Sequence, residues 1–271
     1  MNPSTLLGML GGITLIVLAI VMTASDVEAF WNLPGLAVVL GGTIAATLLA
    51  YPLREVLRVF RTFVVVLRNE RLYTEQDQKE LVTVARHWFQ GDLAGIETRL
   101  DSIRNPFLRN GVQMIIDDVP HEDIAEMLQW RIARLRATEA AEAQIYRTMA
   151  IFAPAFGMLG TLIGLINMLH GLEGSDFERI GVNMALAMIT TLYGVVLANL
   201  LLKPIAIKLE RRTEQRVILM NMIAEGLLLM ARGHSPAHIR EFLRTFLIHY
   251  EDELYMPVSK ETQNGKGKDK A

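Results

Sequence analysis

Four long apolar runs without a charged residue constrain this chain more than any other feature. They cover residues 5–22, 33–51, 149–169 and 181–202, and none of them contains Asp, Glu, Lys, Arg or His. At a rise of about 1.5 Å per residue, a helix of this length crosses a hydrocarbon core about 30 Å thick. The sequence therefore predicts an all-α membrane protein with four transmembrane helices.

The first run has a second interpretation, because a secretory signal peptide also carries an apolar stretch followed by small residues. Thr23, Ala24 and Ser25 follow the run. However, a signal peptide begins with basic residues, which are missing here, and three further apolar runs follow. We therefore interpret the first run as a transmembrane helix.

Basic residues cluster directly after the second and fourth runs. They are Arg54, Arg58, Arg61, Arg68 and Arg71 in one place, and Lys203, Lys208, Arg211 and Arg212 in the other. The short connections 24–32 and 170–180 carry acidic residues and only one basic residue, Arg179. Lys and Arg are in excess in cytoplasmic connections. This asymmetry predicts that both termini and the long segment after the second run are cytoplasmic.

The chain is predicted to divide into five parts. These are a transmembrane hairpin (1–51), a cytoplasmic helical domain (52–148), a second transmembrane hairpin (149–202), cytoplasmic C-terminal helices (203–254) and a disordered tail (255–271). In the cytoplasmic domain, Gly91, Asn105-Pro106 and Val119-Pro120 separate four to five expected helices.

One long amphipathic helix is predicted at the end of the cytoplasmic domain. Ile124, Leu128, Ile132 and Leu135 recur at three- and four-residue spacing, which indicates one buried helical face. We expect this helix to continue without a break into the third span. A further short helix is expected after Ser235-Pro236.

Composition excludes several classes of function. The chain has no Cys, so disulfides, thiol catalysis and Cys-based metal sites are excluded. Its six His are scattered, it carries no nucleophile elbow or phosphate-binding loop, and its net charge is only −2. We expect a protein that is not an enzyme, binds no metal, cofactor or nucleic acid, and has no catalytic residue.

The third and fourth spans carry small residues at close-packing intervals and three hydroxyl residues. The small residues are Gly157, Gly160, Gly164, Gly181, Ala185, Gly194 and Ala198. Their simplest role is bundle assembly. Each of Thr161, Thr190 and Thr191 taken alone most often satisfies its own helix backbone. As a cluster, however, they can line a wet pathway or coordinate a partly dehydrated ion.

The absence of an ionisable group in all four spans limits what this chain does alone. Ion-coupled membrane proteins usually place such a group in the membrane to bind and release the ion. If the chain conducts ions, a carboxylate must therefore come from a partner helix.

Two sequence stretches carry a family resemblance. They are APAFGMLGTLIGLINML (153–169) and MALAMITTLYGVVLANLLLKPIAIKL (184–209), and they closely resemble the flagellar motor stator A subunits of the MotA and PomA kind. The resemblance implies a fivefold ring in the bacterial inner membrane around a dimer of single-span, MotB- or PomB-like B subunits. An Asp on the B subunit carries the ion, and the ring turns against the rotor switch protein FliG.

The resemblance also assigns roles to individual residues. Pro154 and Pro204 match two prolines that link ion flow to cytoplasmic movement, although a proline at position 204 is also suited to ending a helix at the interface. Thr161 and Thr191 match hydroxyls near the ion site, and Thr190 and Tyr193 are neighbours in the same TTLYG motif.

Ion type and rotor contact follow from the same resemblance. The TTLYG motif and the hydroxyl at Thr161 look more like sodium-driven PomA-type members than proton-driven ones. Arg86 and Glu97 are the closest matches to the basic and acidic rotor-contact residues, with a spacing that differs by a few positions. A simply solvated charged face is the alternative there.

Two other classes of protein compete with this interpretation. ExbB and TolQ proteins share the GTLIGL-like stretch, but they have three spans and the opposite N-terminal orientation. A secondary transporter working alone would need an intramembrane charge that the spans lack.

Overall fold

The computed structural model describes residues 3–24, 27, 30–59, 74–173 and 177–255. Within these ranges the regular structure is helical, without a strand, which confirms the all-α class. The helices are α1 (Pro3–Thr23), α2 (Leu33–Ala50), α3 (Thr74–Phe89), α4 (Leu93–Leu100), α5 (Pro106–Ile116), α6 (His121–Glu173), α7 (Phe177–Val196), α8 (Lys203–Ala231) and α9 (Pro236–Tyr255). Residues 53–59 are also helical, and a π-helical segment, Leu197–Leu202, joins α7 to α8.

Three of the described helical stretches are long and apolar enough to cross a membrane. They are Leu33–Ala50, His121–His170 and Ile180–Ala231. The stretch Leu7–Thr23 of α1 is apolar but shorter. The count of four spans, the orientation of the termini and the predicted domain boundaries remain predictions.

The first compact unit comprises residues 1–71 and 134–216. Its described core lies where α6 meets the π-helical segment and α8, and is built from small and medium apolar side chains. These include Ala143, Ile145, Met149, Ala153, Ala198, Ile205, Ala206 and Leu209. Tyr146 is buried in the same cluster and donates a hydrogen bond to the carbonyl oxygen of Val59 at 2.8 Å.

Two ion pairs hold α6 to α8 beyond this core. Arg147 binds Glu210 with both Nε and Nη2, at 2.5 and 2.7 Å. This hydrogen-bonded pairing lowers the pKa of the Glu210 carboxyl below its usual value. Arg216 pairs with Glu139, which also accepts a hydrogen bond from Thr213 Oγ1 at 2.9 Å.

The second compact unit comprises residues 72–133 and 217–271. Ile124, Leu128 and Ile132 are buried in its core, as their spacing predicts, and Leu135, in the first unit, is half-buried. The same core contains Leu81, Ile96, Leu108, Ile223, Leu227, Ile239 and Leu243, which pack with Ile124, Leu128 and Ile132.

The predicted helix boundaries in and beside this unit are confirmed. Gly91 separates α3 from α4 with a positive φ of 72°. Asn105 caps α5, accepting hydrogen bonds from Phe107 N–H and Leu108 N–H, and Pro106 is its first helical residue. Val119-Pro120 precedes α6, which runs unbroken through the predicted third span as expected.

The C-terminal predictions have a divided outcome. The short helix expected after Ser235-Pro236 is α9, which begins at Pro236 and is longer than expected, with 20 residues. Of the tail predicted for 255–271, Tyr255 is the last residue of α9, and residues 256–271 lie outside the described residues. Arg61, Arg68 and Arg71 also lie outside them.

Candidate ion pathway between α6 and α7

The helices α6 and α7 approach so closely that several glycines leave no room for a side chain. A Cβ atom on Gly157 would lie 2.9 Å from the carbonyl oxygen of Thr190, and one on Gly164 would lie 2.8 Å from that of Asn183. A Cβ atom on Gly194 would lie 2.6 Å from the carbonyl oxygen of Ala153. The predicted close packing is therefore present. Gly181 differs, because a Cβ atom added there would have no other atom within 4 Å.

The three predicted hydroxyl residues come together at this contact. Thr161 Oγ1 and Thr191 Oγ1, from α6 and α7, are 2.5 Å apart. The Ala187 carbonyl oxygen is within hydrogen-bond distance of Thr161 Oγ1 and Thr190 Oγ1, at 2.9 Å from each. The Gly157 carbonyl oxygen lies 3.1 Å from Thr161 Oγ1. We call these three hydroxyls and two carbonyl oxygens the oxygen cluster.

The oxygen cluster consists of the neutral oxygen ligands that hard cations such as Na⁺ prefer. A threonine hydroxyl has one proton and two lone pairs, so a hydroxyl that donates to a carbonyl can still accept or coordinate. These ligands carry no net charge, however. The cluster can therefore replace part of a hydration shell, but it supplies no acid to bind or release a proton.

Thr161 and Thr190 also bond to the backbone of their own helices, which is the ordinary role of a threonine in an apolar helix. Thr190 donates to the carbonyl three residues earlier, and Thr161 lies near the carbonyl four residues earlier. Beyond this, Thr161 Oγ1 of α6 also makes contact with α7, at Thr191 Oγ1 and at the Ala187 carbonyl oxygen. A threonine that serves only its own helix does not need that contact.

Pro154 lies inside α6, next to the close contact that Ala153 makes with Gly194 of α7. It has no N–H, so the carbonyl oxygen of Ala150 lacks its normal helical donor. A Cβ atom on Gly194 would lie 3.1 Å from the Cα of Pro154. The proline is therefore in backbone contact with the helix that carries Thr191.

Pro204 does not end a helix, because it is the second residue of α8, which continues to Ala231. Directly before it the backbone is π-helical: the N–H of Lys203 bonds to the Ala198 carbonyl, five residues earlier. Asn199 Nδ2 donates to the Val195 carbonyl at 2.9 Å, and Lys203 Nζ donates to Asn199 Oδ1 at 2.8 Å. Interpretation of Pro204 as a helix terminator is thus wrong.

The sequence arguments missed this π-helical segment. Such segments are rare in proteins, but those that occur are often found at functional sites. The available signal was the proline itself, since a missing N–H changes which carbonyls find donors in the preceding turn.

Arg86 and Glu97 lie in the second unit, on one helical hairpin. Arg86 is in the last turn of α3, Glu97 is in α4, and both are exposed. The turn between them is fixed by Asp92, which accepts hydrogen bonds from Gly95 N–H and pairs with His87 at 2.9 Å. Among the described residues neither Arg86 nor Glu97 has an ion-pair partner.

Comparison with known proteins places this arrangement in a family. The model of the MotA/TolQ/ExbB proton channel family matches residues 99–222. Motility protein A of Borreliella burgdorferi is 30% identical over 247 residues, which are 91% of this chain and 94% of that protein. The chain belongs to the MotA/TolQ/ExbB family. Chemotaxis protein PomA of Vibrio alginolyticus is 28% identical over 252 residues, covering 91% of this chain and 96% of PomA.

Two solved structures have the same fold. The flagellar MotAB stator complex from Bacillus subtilis contains a chain that matches with a TM-score of 0.79 and 26% identity, over 93% of this chain and 98% of that one. A chain of C. jejuni MotAB matches with a TM-score of 0.81 over 91% of this chain and 96% of that one. Its identity is 22%, so this likeness concerns the fold alone.

Proposed function

We propose that this chain is the A subunit of a bacterial flagellar motor stator, which forms an ion channel with a single-span B subunit and converts ion flow into torque. The main structural support for this proposal is the oxygen cluster, in which Thr161 Oγ1 and Thr191 Oγ1 are 2.5 Å apart inside two uncharged spans. Ion-coupled membrane proteins usually bind the ion on an ionisable group, and because these spans carry none, a carboxylate from a partner helix is part of the proposal. The similarity to a motility protein and to a MotAB complex, over about nine-tenths of the chain, supports that pairing.

The proposed assembly follows the family's plan. Four spans lie in the bacterial inner membrane with both termini in the cytoplasm, and five copies of the chain surround two B subunits. The basic residues after the second and fourth runs support this orientation. The rotor switch protein FliG is the proposed cytoplasmic partner, at Arg86 and Glu97.

We favour Na⁺ over H⁺ as the ion. A proton needs only a carboxylate and water, whereas Na⁺ needs several oxygen ligands in place of its hydration shell. The oxygen cluster offers three hydroxyls and two carbonyls at one level of the α6–α7 contact. A site that serves only protons does not require this set.

Replacement of Thr161 tests the ion. Thr161→Val keeps the side-chain shape but removes the hydroxyl that joins α6 to α7. We expect the external Na⁺ concentration that gives half-maximal swimming speed to rise about tenfold, because one oxygen ligand is lost. Swimming speed is measured against external Na⁺ at a fixed membrane potential.

Thr138→Val is the matched control. Thr138 is exposed and donates only to the carbonyl of Arg134 in its own helix, so its loss should leave the Na⁺ dependence unchanged. Wild-type speed that does not change with external Na⁺ would contradict the choice of sodium.

Charge reversal at Arg86 tests the rotor contact. Because Arg86 is exposed and has no ion-pair partner among the described residues, Arg86→Glu should not affect folding. We expect weaker swimming with normal stator abundance, and partial recovery when an acidic residue of the rotor protein is changed to Lys. Arg136→Glu makes the same charge change on α6 and serves as the control. If Arg86→Glu cells swim normally, Arg86 is not a rotor contact.

An energising subunit of the ExbB or TolQ kind is the second candidate. The family model that matches residues 99–222 includes those proteins. The similarity to motility proteins, which extends over about nine-tenths of the chain, favours the motor. Co-purification separates the two, since a partner that binds peptidoglycan is expected for the motor and a TonB-like partner for the alternative.

A further inference from the structure

A tyrosine next to the oxygen cluster ties α7 to the start of α2. The hydroxyl of Tyr193 donates a hydrogen bond to the carbonyl oxygen of Phe30 and accepts one from the N–H of Asn32 at 3.0 Å. Both partners are backbone groups more than 160 residues away in sequence. This single side chain therefore fixes the path of the chain as it enters α2.

Asn32 is the residue on which the start of α2 depends. It is the N-cap, and its Oδ1 accepts a hydrogen bond from the N–H of Gly35 at 2.8 Å. Its carbonyl oxygen accepts the N–H of Leu36 at 3.0 Å. A tyrosine that holds the Asn32 backbone thus also holds the first turn of α2.

The first turn of α2 packs against Thr190, one of the hydroxyl residues of the cluster. A Cβ atom on Gly35 would lie 2.9 Å from Cγ2 of Thr190, and one on Gly160 of α6 would lie 2.7 Å from the same methyl group. Thr190 is consequently held between two helices and is only 1% exposed. Its hydroxyl donates to the Ala187 carbonyl, which also lies 2.9 Å from Thr161 Oγ1.

We propose that Tyr193 is a positioning residue for ion coordination. It holds Asn32 and with it Gly35, which packs against Thr190, and so it fixes the geometry of the oxygen cluster. This inference rests on the proposed stator function. Ligands held in place before the ion arrives bind it more tightly, because less ordering is needed on binding. Without the tyrosine hydroxyl, the start of α2 is released and the cluster becomes less well ordered.

Tyr193→Phe is the direct test, and Tyr51→Phe is its matched control. Tyr51 also uses its hydroxyl between distant parts of the first unit, at 2.8 Å from Thr148 Oγ1, but it does not touch the oxygen cluster. Both variants are made in the complete stator with its B subunit. Rotation speed of a tethered bead is measured against external Na⁺ and, separately, against external pH at fixed membrane potential, with stator abundance in the membrane measured in parallel.

The expected result is a shift in ion affinity without a loss of maximal speed. In Tyr193→Phe, which loses both hydrogen bonds of the hydroxyl, the half-saturating ion concentration should rise about fivefold, since these bonds act on the ion site only through α2. Tyr51→Phe should leave it unchanged. Gly35→Ala displaces Thr190 directly, at the end of the same path, and should also raise the half-saturating concentration.

The outcomes that overturn the proposal differ from those that overturn the function. A purely structural role would lower abundance in both tyrosine variants and leave the half-saturating concentration of Tyr193→Phe unchanged, which overturns the proposal. A shift in Gly35→Ala alone overturns it as well, because it removes Tyr193 from the path. The wild-type complex tests the function separately: if it drives no rotation, the stator assignment fails and this inference fails with it.

Discussion

Gly194→Ala is expected to abolish rotation and to destabilise the purified complex. The added methyl group would lie 2.6 Å from the Ala153 carbonyl oxygen and 3.1 Å from the Cα of Pro154. Both are backbone atoms inside a helix, so no side chain can turn away. The helices must separate, and overpacking of this kind costs about 1–3 kcal/mol of unfolding free energy. Thermal unfolding of the complex in detergent and bead rotation measure the two effects.

The separation should also break the oxygen cluster. Thr191 is one turn before Gly194 on α7, and its bond with Thr161 crosses the same helix contact. The α6–α7 packing and the proposed ion site therefore depend on one interface. We expect function to be lost even in molecules that remain folded.

Gly181→Ala is the matched control on the same helix. Nothing lies within 4 Å of a Cβ atom there. Since alanine is favoured over glycine inside a helix by about 0.5–1 kcal/mol, the control should be neutral or slightly stabilised. Normal rotation and stability of Gly194→Ala would contradict the importance of this close approach.

The sequence predicts the helices well because their signals are local. The spacing of Ile124, Leu128 and Ile132 indicates a buried helical face, and all three side chains are buried. Asn105-Pro106 has the residues of a helix start, and Asn105 caps α5. Each of these features depends on neighbours within two turns.

The site was less accessible from the sequence because its contacts join distant segments. Thr161 and Thr191 were singled out as hydroxyls in apolar spans, but spacing along two separate helices does not specify that their Oγ1 atoms meet. The bonds of Tyr193 to Phe30 and Asn32 had no signal at all. Only the packing of α2 against α7 brings these groups together.

The π-helical segment was missed for a different reason. Residues 197–202 are LANLLL, which read as an ordinary apolar helix. The extra residue in the turn changes the backbone hydrogen bonds without changing composition. Lys203, which in the sequence serves only as a sign of the cytoplasmic side, donates a hydrogen bond to Asn199 at this point.

Pro154→Ala should abolish torque without weakening the fold. Alanine supplies the N–H that Pro154 lacks, so the carbonyl oxygen of Ala150 gains its helical donor. Inside a helix this change favours the regular backbone by about 3 kcal/mol. If the missing bond is what allows α6 to bend during ion passage, the repaired helix is more stable and does not move.

Stability and torque are thus expected to change in different directions, which separates a conformational role from a folding role. Thermal unfolding of the complex should be unchanged or shifted to higher temperature, co-purification with the B subunit should be normal, and bead rotation should be lost. Pro34→Ala is the control, because Pro34 is in the first turn of α2, where a backbone N–H has no helical partner. That variant should rotate normally. If Pro154→Ala also drives normal rotation, then bending at Pro154 is not part of how the chain couples ion flow to movement.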